Sequence, residues 1–373
     1  MLRRNFLAAG VAAPFLAGQA RAAGADIPIG AIEILSGPAA AYGIAIRAGL
    51  ELALGNVNVK GVLGGRKLKL TVLDSAGDKN QAINAARELI GRDNVISIIG
   101  PTLSTEMFAV GPVTNARKIP IIGTSTTAVG ITDIGPYVFR TSLPEADVVP
   151  ATLRYAMDHG VKTIAFLYAN DDVFAKSSYD VMLAAAKKAG LKILDSEAFG
   201  THDTDFSAQL TKVKALKPDA VAVTALVEPT AGVMLQARAL GFDSKTMFLG
   251  GNGANSPKLG QIAGKAADGL IVGSPWFIGK NDPLNDVFIA AFRKKYDRDP
   301  DQFAAQAFDT LKILAAAIDR AGAPDPTKVR DALLKTDFTG VMGPFTFTPH
   351  RDPASAKGVV VLQMEGGQFR IAP

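Results

Sequence analysis

Cysteine is absent from the 373-residue chain, which excludes disulfides, thiolate nucleophiles, iron-sulfur clusters and zinc sites built on sulfur. Histidine is scarce: His159, His202 and His350 are too far apart for a metal-ligand spacing or a hydrolase triad. Beyond residue 22 no stretch approaches the roughly 18 uninterrupted apolar residues that a membrane-crossing helix needs. A strong charge of one sign is missing as well. The formal net charge is +5, but Arg3, Arg4 and Arg21 fall in the first 22 residues with no acid, so the remainder carries 5 − 3 = +2. Neither nucleic acid nor an anionic membrane surface is therefore an expected partner. Gly250-Gly251-Asn252-Gly253 lacks the spacing of a dinucleotide or phosphate loop, and no GxSxG elbow occurs. Asp171 and Asp172 have no carboxylate partner that the sequence can place. No cofactor, metal or enzymatic chemistry is expected.

What is present begins with an export signal over residues 1–22. Arg3 and Arg4 supply the positive start, Phe6 to Leu16 a short apolar run, and Ala20-Arg21-Ala22 a small-residue processing site. At about eleven residues the run is too short to span a bilayer. Arg3-Arg4-Asn5-Phe6-Leu7 also resembles a twin-arginine motif, although Leu2 stands where a Ser or Thr usually precedes the arginines.

The body alternates β-branched apolar runs with helical patterns. Strand-like runs at 27–34, 67–73, 95–99 and 119–122 are interleaved with helical stretches at 44–55, 80–91 and 105–117. The pattern resumes with strands near 163–168, 192–194, 220–224 and 246–249 and helices near 148–158, 177–189, 206–216 and 232–240. Helices at 284–296, 302–321 and 327–335 follow without strands between them, and a strand-rich tail closes the chain. Repeated βα units imply parallel sheets covered on both faces. About 350 residues exceed what one core serves, so the expected fold is α/β with two doubly wound lobes.

Ligands in open α/β sheets bind outside the carboxyl ends of the strands. Three loops there draw attention: Ser36 to Gly43, Gly100 to Glu106, and Gly123 to Thr127. The last two carry Ser104, Thr105, Ser125 and Thr127 where free amides and the helix dipole favour an anion. A small carboxylate is the economical guest.

Ile27-Pro28-Ile29-Gly30-Ala31-Ile32-Glu33-Ile34-Leu35-Ser36-Gly37-Pro38, running on to Tyr42-Gly43, resembles the opening of leucine/isoleucine/valine-type periplasmic binding proteins. Ile98-Ile99-Gly100-Pro101, Gly135 to Thr141, Asp203 to Ser207 and Gln236 to Gly241 resemble the same family, in the same order and spacing. The resemblance implies a type I binding-protein fold whose lobes are joined by three crossovers, near Thr141, at Ser274-Pro275-Trp276, and between Phe347 and Arg351. Residues 27–142 with 275–347 would form one lobe and 143–274 with 348–373 the other. It also implies a monomer that closes on a solute in the periplasm and delivers it to an inner-membrane ABC permease.

The resemblance further assigns residues. Ser104 falls where a hydroxyl and amide hold the ligand carboxylate in amino-acid-binding members, with Thr105 beside it. Ser125 and Thr127 fall where that grip is completed, Tyr42 matches a covering ring, and Phe174 a wall of the second lobe. Asn252 occupies the position at which amino-acid binders carry an acid for the ligand ammonium, and an aliphatic residue of Leu226-Val227-Glu228 stands where a tyrosine contacts the ligand. The carboxylate half of the site is kept, and the ammonium half has lost its usual charge-assisted bond. Glu228 could restore the charge if its loop turns inward. Trp276, the only tryptophan, either supplies a stacking face or packs the hinge. The leading expectation is a binding protein for a branched-chain or related amino acid, with aromatic or aliphatic carboxylates as the alternative. A sensing receptor module is the competitor from another class, disfavoured by the lack of a signalling segment in this sequence.

Overall fold

A computed structural model describes residues 24–242, 245–354 and 358–373; the expected export signal lies outside the described residues. The first sheet is wholly parallel, with strands ordered β2-β1-β3-β4-β5. They are β1 (Ile27–Glu33), β2 (Leu68–Asp74), β3 (Ile98–Ile99), β4 (Ile121–Gly123) and β5 (Val138–Arg140), connected by α1 (Ala40–Lys60), α2 (Lys79–Gly91) and α3 (Ser104–Ala116). The chain builds outward from β1 to β2 and then returns to place β3 on the other side. That reversal opens a crevice between the carboxyl ends of β1 and β3.

The second sheet repeats the design. Its order is β14-β13-β10-β9-β8-β6-β7, from β6 (Thr163–Ala169), β7 (Lys192–Phe199), β8 (Ala220–Thr224), β9 (Met247–Gly250), β10 (Leu270–Ser274), β13 (Val360–Glu365) and β14 (Gln368–Ile371). Here β7 and β8 flank β6, so the second crevice opens after β6 and β8. Helices α4 (Glu145–Asp158), α5 (Val173–Lys188), α6 (Ser207–Ala215), α7 (Val227–Ala239) and α8 (Lys258–Ala263) accompany this sheet. Unlike the parallel sheet expected, it ends in two antiparallel strands, because β13 and β14 form a hairpin that lies against β10. Its turn residues Gly366 and Gly367 both have positive φ, which glycine adopts at no steric cost.

The chain leaves the first sheet after β5, returns after β10 into α9 (Pro283–Tyr296), α10 (Gln302–Ala321) and α11 (Pro326–Leu333), and crosses once more after the small β11 (Asp337–Gly340) and β12 (Gly343–Thr346) pair. Central strands β1, β8 and β10 are almost entirely buried and correspondingly apolar. β7 is half-exposed along most of its length and keeps Asp195, Ser196 and Glu197, so its polar half hides the full strand from a search for apolar runs. Likewise α7 begins at Val227 rather than near 232: Pro229 is tolerated because a first-turn amide has no intrahelical acceptor to lose.

Helix α10 is the main brace of the first lobe, with Gln302 to Leu311 buried without interruption. It packs directly on α1 at Gly49, where a Cβ would stand 2.1 Å from the Ala304 carbonyl oxygen. Backbone, not a flexible side chain, sets that limit. Gly49→Val is expected to cost about 3 kcal/mol or more through overpacking. Thermal unfolding checks this: the variant melts several degrees below the parent, and an unchanged melting point would contradict the close helix contact.

Candidate functional site

The two crevices face each other across the gap between the lobes, and their loops close around one cavity. Its walls are Tyr42 after β1, Thr102, Leu103 and Ser104 after β3, Ser125 after β4, Phe174 after β6, Leu226 after β8, Asn252 and Gly253 after β9, and Phe303 of α10. Most of these are strand-end positions, as the switch-point geometry requires. About 20 Å³ of space for water-sized occupants remains, enough for about one water. A solute as large as an amino acid enters only if the lobes part.

One face of the cavity is a row of hydroxyls. Ser104 opens α3, and its Oγ accepts the Ala128 amide at 3.3 Å, while Ser125 Oγ donates to the Thr102 carbonyl at 2.6 Å. Thr102 Oγ1 accepts the Ile34 amide at 3.1 Å and donates to Glu33 Oε2 at 2.6 Å, so the buried Glu33 anchors the floor. Burial raises the Glu33 carboxyl well above the ordinary carboxylate range, outweighing the Thr102 hydrogen bond, with Glu106 adding to the rise. That direction favours the neutral carboxyl, the form that would not repel an anion at the hydroxyls.

The other wall is apolar and glycine-lined. Phe174 is buried in the first turn of α5, behind the Asp172 cap, whose Oδ1 accepts the Ala175 amide at 2.9 Å. Gly253 lets the loop lie flat against the Phe174 ring, since a Cβ there would come 2.7 Å from Cε1.

Polar bonds stitch the lobes together around this cavity. The Tyr42 hydroxyl donates to the Gly253 carbonyl at 2.6 Å and accepts the Val227 amide at 2.7 Å, which also satisfies one free amide of α7. Burial pushes this phenol well above its ordinary pKa, with Glu228 adding to the rise. Thr105 Oγ1 donates to Asp172 Oδ2 at 2.9 Å and accepts the Val173 amide at 3.3 Å. Gln302 Nε2 of α10 donates to Asn252 Oδ1 at 2.9 Å, and Asn255 Nδ2 donates to Gln302 Oε1 at 2.9 Å.

Of the residues singled out in the sequence, Tyr42, Ser104, Ser125, Phe174 and Asn252 line the cavity together. Thr105 sits at its outer rim with Asp171, Asp172, His202 and the half-buried Glu228, around a separate space of about 240 Å³. Thr127 is buried just behind the wall, its hydroxyl donating to Glu145 Oε1 at 3.3 Å. Trp276 is not among the cavity walls. Its indole N–H donates to Asn285 Oδ1 at 2.8 Å, its ring meets Phe288 edge-on, and with Phe277, Ile278 and Phe369 it lines a different cavity of about 190 Å³ at the second crossover. It packs the hinge.

Sequence reasoning missed Thr102, Phe303, Gln302 and Glu145. Thr102 stood in a loop already flagged, one position before Leu103 and Ser104. Gln302 and Phe303 follow the Asp301 cap of α10, and no local pattern reveals that a helix so late in the chain reaches the cleft. Glu145, in the first turn of α4, reads as an acid complementing the helix dipole; its complete burial is visible only in the assembled fold.

Residues 26–368 match the family described as periplasmic binding protein. The leucine-, isoleucine-, valine-, threonine- and alanine-binding protein of Pseudomonas aeruginosa is 28% identical over 315 residues, 83% of each chain. The crystal structure of a leucine-binding protein from Thermotoga maritima matches with a TM-score of 0.87 at 26% identity, covering 93% of this chain and 98% of the other. A branched-chain amino acid transporter substrate-binding protein of Streptococcus pneumoniae, solved with isoleucine, matches with a TM-score of 0.86 at 27% identity, covering 92% of this chain and 97% of the other. Two facing α/β lobes with a polar cleft between their switch points, and a family match over nearly all the described chain, lead to one statement: this chain belongs to the periplasmic binding protein family.

Proposed function

We propose that this protein is an exported, non-catalytic solute-binding protein of the periplasm that captures a small carboxylate-bearing ligand, a branched-chain or related amino acid, and delivers it to an inner-membrane ABC permease. The observation that carries the reading is the row of Thr102, Ser104 and Ser125 around the start of α3, above a floor anchored by the buried Glu33. Amides at a helix amino terminus stabilise an anion without a fixed counter-charge, and the Thr102 and Ser125 hydroxyls, which donate to Glu33 and to the Thr102 carbonyl, would turn to it on binding. Phe174, Leu226 and Phe303 supply the apolar surface that a branched side chain would bury. In this account the solute first meets the hydroxyl face, and hinge closure then brings Phe174 and the loop at Asn252 over it while re-forming the Tyr42 and Thr105 bridges. The closed surface is what a permease would recognise.

A second reading, an aromatic or aliphatic carboxylate without an amino group, is favoured by Asn252, whose Oδ1 is already committed to Gln302, and by Leu226 in the cavity wall.

Thermal-shift measurements with carboxylates and their amides test the main claim. Leucine, phenylalanine and 4-methylpentanoate are to be compared with their amides, and at least one acid should raise the melting point, because binding only the folded state stabilises it. Equal shifts from acid and amide would contradict a carboxylate grip. Asn252→Asp preserves the acceptor that Gln302 uses and adds a charge. It should tighten an α-amino acid and weaken a simple carboxylate, each by about tenfold, one charge-assisted contact. Parallel calorimetric titrations read the two effects, and identical responses to both ligands would place Asn252 outside the site.

A further inference from the structure

We propose that Glu145 is the acid that receives a ligand ammonium in this cleft, so that the ligand is a zwitterionic α-amino acid; this rests on the carboxylate grip proposed above. Glu145 is 1% exposed and opens α4 directly after the first crossover, at the junction of both lobes. Its Oε1 accepts from Thr127 Oγ1 at 3.3 Å and its Oε2 from Ser178 Oγ at 3.1 Å, and the Asn252 amide also bonds to the carboxyl. The first and third of these partners are the positions where the resemblance puts the carboxylate grip and the ammonium acid. The charge missing at Asn252 is thus supplied from α4, a few ångströms away.

Gly251, beside the wall residues Asn252 and Gly253, lies over the Ser178 hydroxyl and this carboxyl: a Cβ there would stand 2.9 Å from Ser178 Oγ, 3.8 Å from Glu145 Oε2 and 3.8 Å from Phe174 Cζ. The two ionic groups of an α-amino acid hang from one carbon, so their protein partners must stand side by side, as Thr127 and Glu145 do. In the exchange we infer, the Thr127 hydroxyl turns from Glu145 to the ligand carboxylate, and the ammonium takes its place on Oε1. Thr127 Oγ1 and Glu145 Oε1 each keep a partner in the exchange.

Among the described residues no cation pairs with this carboxyl. Burial raises it to about pKa 7, against the lowering effect of Ser178, Thr127 and the Asn252 amide. Charged groups on the adjoining elements are engaged elsewhere. Arg140 of β5 binds Asp352 and the carbonyls of Thr126 and Ala128. Asp172 caps α5 and holds Thr105, Lys176 of α5 pairs with Asp180, and Asp147 of α4 feels Arg140 and Asp352. Below about pH 7 the free protein therefore carries Glu145 protonated, whereas an ammonium favours the ionised form. Binding a zwitterion releases this proton, and affinity is lost as pH falls through 7.

Calorimetric titration of the purified protein at pH 6 and pH 8, in buffers of different ionisation enthalpy, provides the test. Leucine, valine and phenylalanine are each compared with the acid lacking the amino group: 4-methylpentanoate, 3-methylbutanoate and 3-phenylpropanoate. The expected result is an amino acid that binds about tenfold more weakly at pH 6 than at pH 8 and releases a proton at pH 6. Glu145→Gln should abolish the release and weaken the amino acid at least about tenfold, whereas the paired acid should bind no more weakly than to the parent. Amino-acid binding without proton release, or untouched by Glu145→Gln, overturns the assignment. If only the acids lacking the amino group bind, Glu145 is not the ammonium partner while the carboxylate grip stands; if neither series binds, both fall. Should the glutamine variant fail to fold, proton release by the parent protein decides alone.

Discussion

Two sheets whose parallel strands face each other through their carboxyl ends leave hydroxyls, amides and carbonyls that only the opposite lobe or a guest can satisfy. Buried polar groups without partners are costly, and this requirement organises the centre of the molecule. The Tyr42 hydroxyl meets it most directly, joining α1 of one lobe to Gly253 and the start of α7 in the other. Thr105 with Asp172, Gln302 with Asn252, and Thr127 with Glu145 meet it at neighbouring points. A solute that replaces some of these bonds with its own can exchange one satisfied arrangement for another, which keeps opening and closing within reach of binding energy.

The polar row and the apolar wall then divide the work. The hydroxyls beside Glu33, whose carboxyl burial raises well above the ordinary carboxylate range, are where the proposed carboxylate would sit without a buried cation beside it. Phe174, Leu226 and Phe303 give area but no direction. Trp276 contributes to neither, since its indole is bonded to Asn285 and its ring is packed on Phe288; its place at the second crossover makes it part of the hinge.

Much of this is legible in the amino-acid sequence. Strands buried on both faces, such as β1 and β8, announce themselves as continuous apolar runs, and the loops after β3 and β4 display Ser104, Thr105, Ser125 and Thr127 in order. Edge strands hide because half their residues are polar, as Asp195 to Glu197 in β7 show. Contacts made by distant segments hide for a different reason. Nothing local to Gln302, Phe303 or Glu145 reveals that α10 and α4 bring them to the gap between β1 and β9. The ionisation of Glu33 and Glu145 is hidden in the same way, because it is set by burial and not by neighbours in sequence.

The central claim is that the first lobe grips the carboxylate of a small solute with hydroxyls and helix amides while the second lobe closes over the rest. A crystal structure of the protein grown with leucine and, separately, with 4-methylpentanoate tests it most directly. The carboxylate oxygens should lie within hydrogen-bond distance of Ser104 at the start of α3 and of the hydroxyls of Ser125 or Thr127 after β4, with the alkyl chain against Phe174. A carboxylate turned toward the second lobe, or a ligand seated beside Trp276, would contradict it.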